Sequence, residues 1–315
     1  MRPDMESSIM KEILKQADRV ASSFNNILIV GEYGSGRSWL AKRIHQKGNR
    51  RDKPFITVNC RILEEHDALK KVFGYLALSK DGARINHGVL EQSRGGIIFF
   101  ENFNSFPENL QQELIHNTGL SQIRRIGSKH VIEINRPQVI CSIEIKPSHI
   151  LHGKQFLNDA LLTNNPYILG QPPLRQRRED IASLIEVFLG QGFRTLPEAA
   201  GKKISPGAIY QCIKYHWPGN VNQLKNAIKH AAITSGRDTI QAHDLPISIK
   251  AGRPGNGRSE YDRKSPSYEK AERQLITKVL GTTDSLQKAA KALGIDEDTL
   301  SSKIKQFNLL EKAAY

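Results

Sequence analysis

The densest chemistry in the chain lies between Gly31 and Trp39. Gly31-Glu32-Tyr33-Gly34-Ser35-Gly36-Arg37-Ser38-Trp39 sets glycines, one cation and one hydroxyl at a fixed spacing. Glycines so placed let a turn aim successive backbone N–H groups at an anion, and a helix starting directly behind them adds its positive end. The candidate phosphate contacts are Gly31, Tyr33, Gly34, Ser35, Gly36, Arg37, Ser38 and Trp39, with Ser38 as the hydroxyl that would sit on Mg²⁺. One residue is unexpected. A loop of the Gly-x4-Gly-Lys-Ser/Thr kind carries lysine where this chain has Arg37, and a planar guanidinium fork does not replace a compact ammonium atom for atom.

Such a loop needs a strand before it and a helix after it. Ile27-Leu28-Ile29-Val30 is a continuous apolar run, as for a strand buried on both faces of a parallel sheet, and Leu40, Ala41 and Ile44 recur at helical spacing. Further apolar runs at Phe55–Val58, Ile97–Phe100 and Val139–Ile143 alternate with helical patterns, which predicts a parallel α/β sheet up to residue 170. Beyond it the pattern is helical, over Asp180–Gly190, Gly207–His216 and Val221–Ser235. The stretch from Ala251 to Pro266 is basic and rich in Gly, Pro and Ser, so it cannot build a core and reads as a flexible linker. In the last segment Ala289-Ala290-Lys291-Ala292-Leu293-Gly294-Ile295 places small residues where helices cross and a glycine at a turn. The expected boundaries are 1–174 for the α/β part, 175–249 for the helical part, 250–267 for the linker and 268–315 for the final unit.

With 315 residues, 38% of them hydrophobic, the chain can bury a core in more than one domain. No apolar run approaches the ~20 residues of a membrane span, and Met1 to Glu12 lacks a secretory apolar stretch, so no membrane partner and a cytoplasmic location are expected. Cys60, Cys141 and Cys212 have no paired spacing, which speaks against a disulfide frame or a zinc site. The net charge of +14 points to a polyanionic partner. Most of it lies early: residues 1–249 carry 33 Lys+Arg against 23 Asp+Glu, residues 250–268 carry 5 against 2, and residues 269–315 carry 8 against 7. The C-terminal unit is therefore nearly neutral.

Several longer motifs fall in order along the chain: Val58-Asn59-Cys60, Phe73-Gly74, Gly95-Gly96, Arg124-Arg125-Ile126-Gly127, Pro172-Pro173-Leu174-Arg175-Gln176-Arg177-Arg178-Glu179-Asp180-Ile181 and Trp217-Pro218-Gly219-Asn220-Val221. In these the chain resembles the central AAA+ domain of sigma-54-dependent transcription activators, the bacterial enhancer-binding proteins, followed by their Fis-type helix-turn-helix. The resemblance implies an α/β fold: an AAA+ phosphate-loop parallel sheet with a helical lid subdomain, then a small all-α helix-turn-helix domain. It implies ATP or ADP with Mg²⁺ as cofactors. It also implies DNA as a partner, with assembly into a homo-oligomer or with an intact paralogue. The family's first helix begins near Met5, so no receiver or ligand-sensing domain is expected ahead of it.

The departures from that family fall at chemical positions. Glu101-Asn102 stands where the Walker-B strand ends in Asp-Glu. Glu101 retains a carboxylate for metal, whereas Asn102 cannot take a proton from water at neutral pH. Glu144 aligns with the sensor-I asparagine, Leu157 and Thr163 with the two arginine fingers, and Asn222 with the sensor-II arginine. An arginine finger is worth about 10³–10⁵ in rate where it operates. The loop that inserts into sigma-54 corresponds to Leu78-Ser79-Lys80-Asp81-Gly82-Ala83, in which Lys80 and Asp81 replace its Phe-Thr pair, so the usual sigma-54 contact is not expected. No catalytic residue is assigned; Glu101 and Asn102 are a degenerate Walker-B pair.

In the last unit the recognition helix is expected to begin near Asp296, with Leu300, Ile304 and Phe307 on its core face and Thr299, Ser301, Ser302, Lys303 and Lys305 as DNA contacts. Glu297 and Asp298 would repel phosphate, though acids in a first turn also favour the helix dipole. The leading reading is a DNA-binding transcription regulator whose AAA+ domain holds nucleotide without turning it over. Two alternatives stand beside it. One is a weak residual ATPase, with Glu101 on Mg²⁺ and Glu32 orienting water. The other is a non-DNA-binding scaffold or inhibitor of an intact paralogue.

Overall fold

The computed structural model describes residues 5–23, 25–79, 82–145, 165–193, 199, 201–250 and 265–309. The first part runs α1 (Ser8–Ala21), β1 (Ile27–Gly31), α2 (Arg37–Lys47), β2 (Phe55–Asn59), α3 (Glu65–Phe73), β3 (Gly74–Ser79), β4 (Gly82–His87), α4 (Val89–Gln92) and β5 (Ile97–Glu101). It continues with α5 (Glu108–Thr118), β6 (Gln122–Arg124), β7 (Val131–Glu133), β8 (Gln138–Glu144) and β9 (Tyr167–Gln171). The second part has α6 (Ile181–Val187), β10 (Lys203–Ile204), α7 (Pro206–Lys214), α8 (Asn220–Thr234), β11 (Thr239–Ile240), α9 (Ile247–Lys250), α10 (Pro266–Leu280), α11 (Leu286–Leu293) and α12 (Glu297–Gln306). The structure divides into two compact units, one of Glu12–Gln171 and one of Met1–Lys11 with Pro172–Tyr315.

In the first unit β2-β5-β8-β1-β9 form a parallel sheet. The runs read as strands are strands because Val, Ile and Phe suit a pleat buried on both faces. Leu28, Val30, Ile98, Phe100, Val139 and Cys141 enter one continuous core with Phe103 and Leu114. Each such side chain contributes roughly 1.5–3 kcal/mol when fully buried. Strand β9 was not among the runs picked out from sequence. Its Tyr-Ile-Leu-Gly-Gln is short and only partly buried, as befits an edge strand.

Register places Gly31 opposite both Glu144 and Gln171, and Asn59 opposite Glu101, so the carboxyl ends of five strands converge. Two antiparallel hairpins, β3–β4 and β6–β7, lead into the amino ends of β5 and β8. They meet where Leu76 N–H donates to Ile126 O at 2.9 Å and Ile126 N–H to Gly74 O at 3.0 Å. Arg125 holds Glu91 of α4 through Nε at 2.9 Å and Nη2 at 2.6 Å.

The second unit contains the helical lid and the helix-turn-helix together. Ser265 and Ser267, assigned to the linker or its edge, are structural. Ser265 Oγ accepts the Tyr268 N–H at 3.2 Å and caps α10, Pro266 takes the first turn, and Ser267 bridges Arg178 N and Glu179. At the other end, buried Asp180 accepts from Glu6 N (2.7 Å), Ser7 N (2.8 Å) and Ser7 Oγ (2.8 Å), satisfying donors at the start of α1. These bonds tie the start of α1 to the segment that precedes α6.

Candidate functional site

The phosphate loop has the backbone its glycines predict. Gly34 and Gly36 adopt φ of 70° and 105°, the left-handed region that favours glycine, and Gly36 caps α2. A Cβ on Gly31 would lie 2.8 Å from Gln171 O, so this position accepts nothing larger. Ser35 is buried and ties the turn, its Oγ donating to Glu32 O at 2.7 Å. Tyr33 is exposed, Trp39 and Ser38 are half-buried, and Glu32 is buried. The turn is therefore intact as a shape.

Its charges are another matter. Arg37 is 7% exposed, and its guanidinium folds back into the protein. Nη1 donates to Gly31 O at 3.1 Å, Nη2 donates to Asn102 Oδ1 at 2.9 Å, and Nη2 lies 3.7 Å from Glu144 Oε2. Glu144 is held in turn by Arg61 Nη2 at 2.6 Å. Asn104 pins its backbone in both directions, Nδ2 donating to Glu144 O at 3.2 Å and Oδ1 accepting from Glu144 N at 3.3 Å. Burial pushes the Arg37 pKa down, opposed by the charges of Glu144 and Glu101. Ser38 Oγ donates to Glu101 in a short bond.

Asn102 suits this arrangement for a backbone reason as well. It sits at φ 57°, ψ 48°, a left-handed conformation that asparagine adopts far more readily than most residues. Its N–H donates to buried Ser142 Oγ at 3.2 Å, leaving the amide oxygen for Arg37. The structure thus brings Arg37, Ser38, Glu101, Asn102 and Glu144 together. Leu157 and Thr163 lie outside the described residues, as do Lys80 and Asp81. Asn222 is exposed on α8 of the lid. Arg61, Asn104 and Ser142 were missed from sequence. Arg61 directly follows the Val58-Asn59-Cys60 motif, the one signal that could have marked it.

The turn has the backbone shape of a phosphate loop, and its side chains bond to one another. Arg37 has three internal partners, Gly31 O, the Asn102 amide and the Glu144 carboxylate. The hydroxyl and carboxylate expected on Mg²⁺ bond to each other. Among the described residues no cluster of three or more His, Cys, Asp or Glu could hold a metal ion. The thiols of Cys60 and Cys141, buried nearby, have pKa values pushed up by burial and add no nucleophile.

The second site is the three-helix unit. Ser285 Oγ caps α11, Gly294 ends it at φ 71°, and Asp296 caps α12, its Oδ1 accepting the Thr299 N–H at 2.7 Å. Leu300, Ile304 and Phe307 face the core as expected. Of the five expected DNA contacts, Ser302 and Lys305 are exposed and Ser301 is half-buried. Thr299 Oγ1 donates to Asp296 Oδ2 at 2.7 Å, and Lys303 Nζ donates to buried Glu272 at 2.8 Å. Among the described residues no helix is long and apolar enough to cross a membrane.

A phosphate-loop parallel sheet, a helical lid and a capped three-helix C-terminal unit define the protein as an AAA+ regulator with a DNA-reading helix-turn-helix. Family descriptions match the same division: Sigma-54 interaction domain over residues 4–165, AAA+ ATPase lid domain over 175–261, and Bacterial regulatory protein, Fis family, over 267–307. The chain belongs to the sigma-54-dependent transcription regulators and is a DNA-binding transcriptional regulator of that family. It is 32% identical over 307 residues to the alginate biosynthesis transcriptional regulatory protein AlgB of Pseudomonas aeruginosa, covering 97% of this chain and 67% of that one. It is 30% identical over 320 residues to the DNA-binding transcriptional activator HyfR of Escherichia coli, covering 96% and 47%. The crystal structure of NtrX from Brucella abortus shares the fold, with a TM-score of 0.67 at 24% identity, over 96% of this chain and 68% of that one.

Proposed function

We propose that this regulator acts through DNA without an ATP-driven remodelling cycle, its AAA+ domain serving as a charge-neutralised scaffold. The observation that carries the reading is the set of bonds on Arg37. An anion entering the loop must compete with Glu144, Asn102 and Gly31 O for one guanidinium. General-base work at Asn102 is chemically closed to an amide. Nucleotide that enters would displace Glu144, so ATP or ADP occupancy would act as a switch of conformation and would not be consumed. With no aromatic–hydroxyl pair at 80–81, the usual contact with sigma-54 is also absent from this reading.

The test is calorimetric titration with ATP and a non-hydrolysable analogue, with phosphate release followed in parallel. Release at the buffer background is expected, whether or not heat of binding is seen. Turnover abolished by both Arg37→Ala and Asn102→Ala would overturn the proposal, because contaminating activity would not respond to either.

A further inference from the structure

The expected DNA contact Lys303 is turned toward a carboxylate that the sequence left unremarked. Glu272 of α10 is fully buried, yet it carries three donors: Tyr210 Oη at 2.8 Å, Tyr268 Oη at 3.0 Å and Lys303 Nζ at 2.8 Å. Tyr210 belongs to α7 of the lid, Tyr268 and Glu272 to the first helix of the helix-turn-helix, and Lys303 to its recognition helix. Helices α7 and α11 also touch, a Cβ on Gly207 lying 3.2 Å from Ala292 O.

We propose that Glu272 is a positioning residue through which the docked lid holds Lys303 away from DNA phosphate. At about 100° per residue, the face of α12 opposite Leu300 and Ile304 is centred on Ser302. Lys303 lies at the flank of that face, beside Thr299 and Gln306, where a four-carbon stem reaches the backbone of a major groove. Its side chain is 25% exposed, while the ammonium bonds to Glu272.

What keeps it engaged is the lid. A surface Lys–Glu pair is weak and easily exchanged for phosphate. A buried carboxylate is different: without water it must keep its protein donors, and Tyr210 supplies one of them from the lid. Removing the lid would expose Glu272 and reduce the pair to a surface one. The DNA-reading helix is thereby offered in two charge states, one with Lys303 withheld while the lid is docked and one with it free. The acidic start of the helix at Glu297 and Asp298 makes that single cation count for more.

This inference rests on the family-level reading of α12 as a DNA reader. The test is the salt dependence of binding of the full chain to a mixed-sequence duplex, where each phosphate contact adds about 0.9 to the slope of log K against log salt. Glu272→Gln is expected to steepen the slope by about 0.9 per recognition helix. Lys303→Ala alone leaves the wild-type slope unchanged, and the double variant returns to it. Tyr210→Phe, which keeps every charge and tests the lid's part even if the Glu272 variant fails to fold, steepens the slope by less. A wild-type slope in Glu272→Gln or in Tyr210→Phe, or a flattened slope in Lys303→Ala, would overturn the latch. Absence of DNA binding in the wild type at low salt would instead remove the reading beneath it.

Discussion

Replacing Glu144 by asparagine separates the two roles that the buried guanidinium could have. Arg37 Nη2 and Glu144 Oε2 lie 3.7 Å apart, with exposures of 7% and 26%. At an effective dielectric constant of about 20 their attraction is roughly 4 kcal/mol. Glu144 also serves Arg61 at 2.6 Å and touches solvent, so the share lost from Arg37 is nearer to roughly 1–2 kcal/mol. Without nucleotide, Glu144→Asn should therefore destabilise the α/β unit by about that amount, a fall in Tm of roughly 2–8 °C for a unit of this size. The same change removes a negative charge from beside the position a phosphate would take. A gain of roughly 1.4 kcal/mol there is tenfold in ATP affinity. The assay is thermal unfolding of wild type and Glu144→Asn, each with and without ATP, with calorimetry for the affinity. The variant is expected to melt lower alone and to recover with ATP, while the wild type shifts less. A variant as stable as wild type, with no gain in affinity, would show that Glu144 does not hold Arg37 and that the loop is quiet for another reason.

Three further outcomes follow from the same contacts. Arg37→Lys restores the family's loop cation but leaves Asn102, so phosphate release should stay at background in a coupled assay; turnover in this variant would move the block from Asn102 to Arg37. Glu91→Gln should weaken the junction of the two hairpins. Burial raises the Glu91 pKa, but the bonds from Arg125 and His87 outweigh it and leave the carboxyl below its ordinary value. Its contribution to stability is present above about pH 4.3 and is lost as pH falls through the lowered folded value. Urea midpoints measured from pH 6 down to about pH 3 should accordingly fall less steeply in Glu91→Gln, and an identical pH slope would refute the pairing. Asn220→Ala removes the acceptor of the buried Leu174 N–H at 2.8 Å and places alanine at φ 51°. A loss of roughly 2–4 kcal/mol in the lid unit is expected from the urea midpoint, and a loss under 1 kcal/mol would mean the bond is replaced by water.

The parts of the fold that the sequence displayed are those written in local patterns. Ile27–Val30 and Ile97–Phe100 are continuous apolar runs, and each is a central strand. The start expected near Asp296 is where α12 begins, and Asp296 caps it. Strand β9 escaped because an edge strand needs little apolar sequence. The bonds between lid and helix-turn-helix are not written in any local pattern. They depend on Glu272, Tyr210 and Ser267, polar residues far apart in sequence whose partners only the fold brings close. A buried glutamate in the middle of a helix looks, in sequence alone, like one more solvated acid.

The candidate phosphate site shows why its substitutions occur together. In the sequence Arg37, Asn102 and Glu144 are three separate departures, each readable as drift. In the structure two of them are ligands of the third, and Glu144 is fixed by Arg61 and by the amide of Asn104. An arginine buried to 7% exposure needs acceptors close by, because an unpaired buried cation is costly. A carboxylate at the end of β8 would repel phosphate in an ordinary phosphate loop, but it stabilises this one. Asparagine at 102 both accepts from the guanidinium and tolerates the left-handed backbone there. On the proposed reading the loop cation is satisfied from within, so reversal at any one position leaves the others mismatched. Single reversions should therefore be less stable than both the present chain and a fully restored site, and the gain in nucleotide affinity of the triple variant Arg37→Lys, Asn102→Glu, Glu144→Asn over wild type should exceed the sum of the three single effects. Strict additivity across that set would mean that the three positions, although in contact, changed independently.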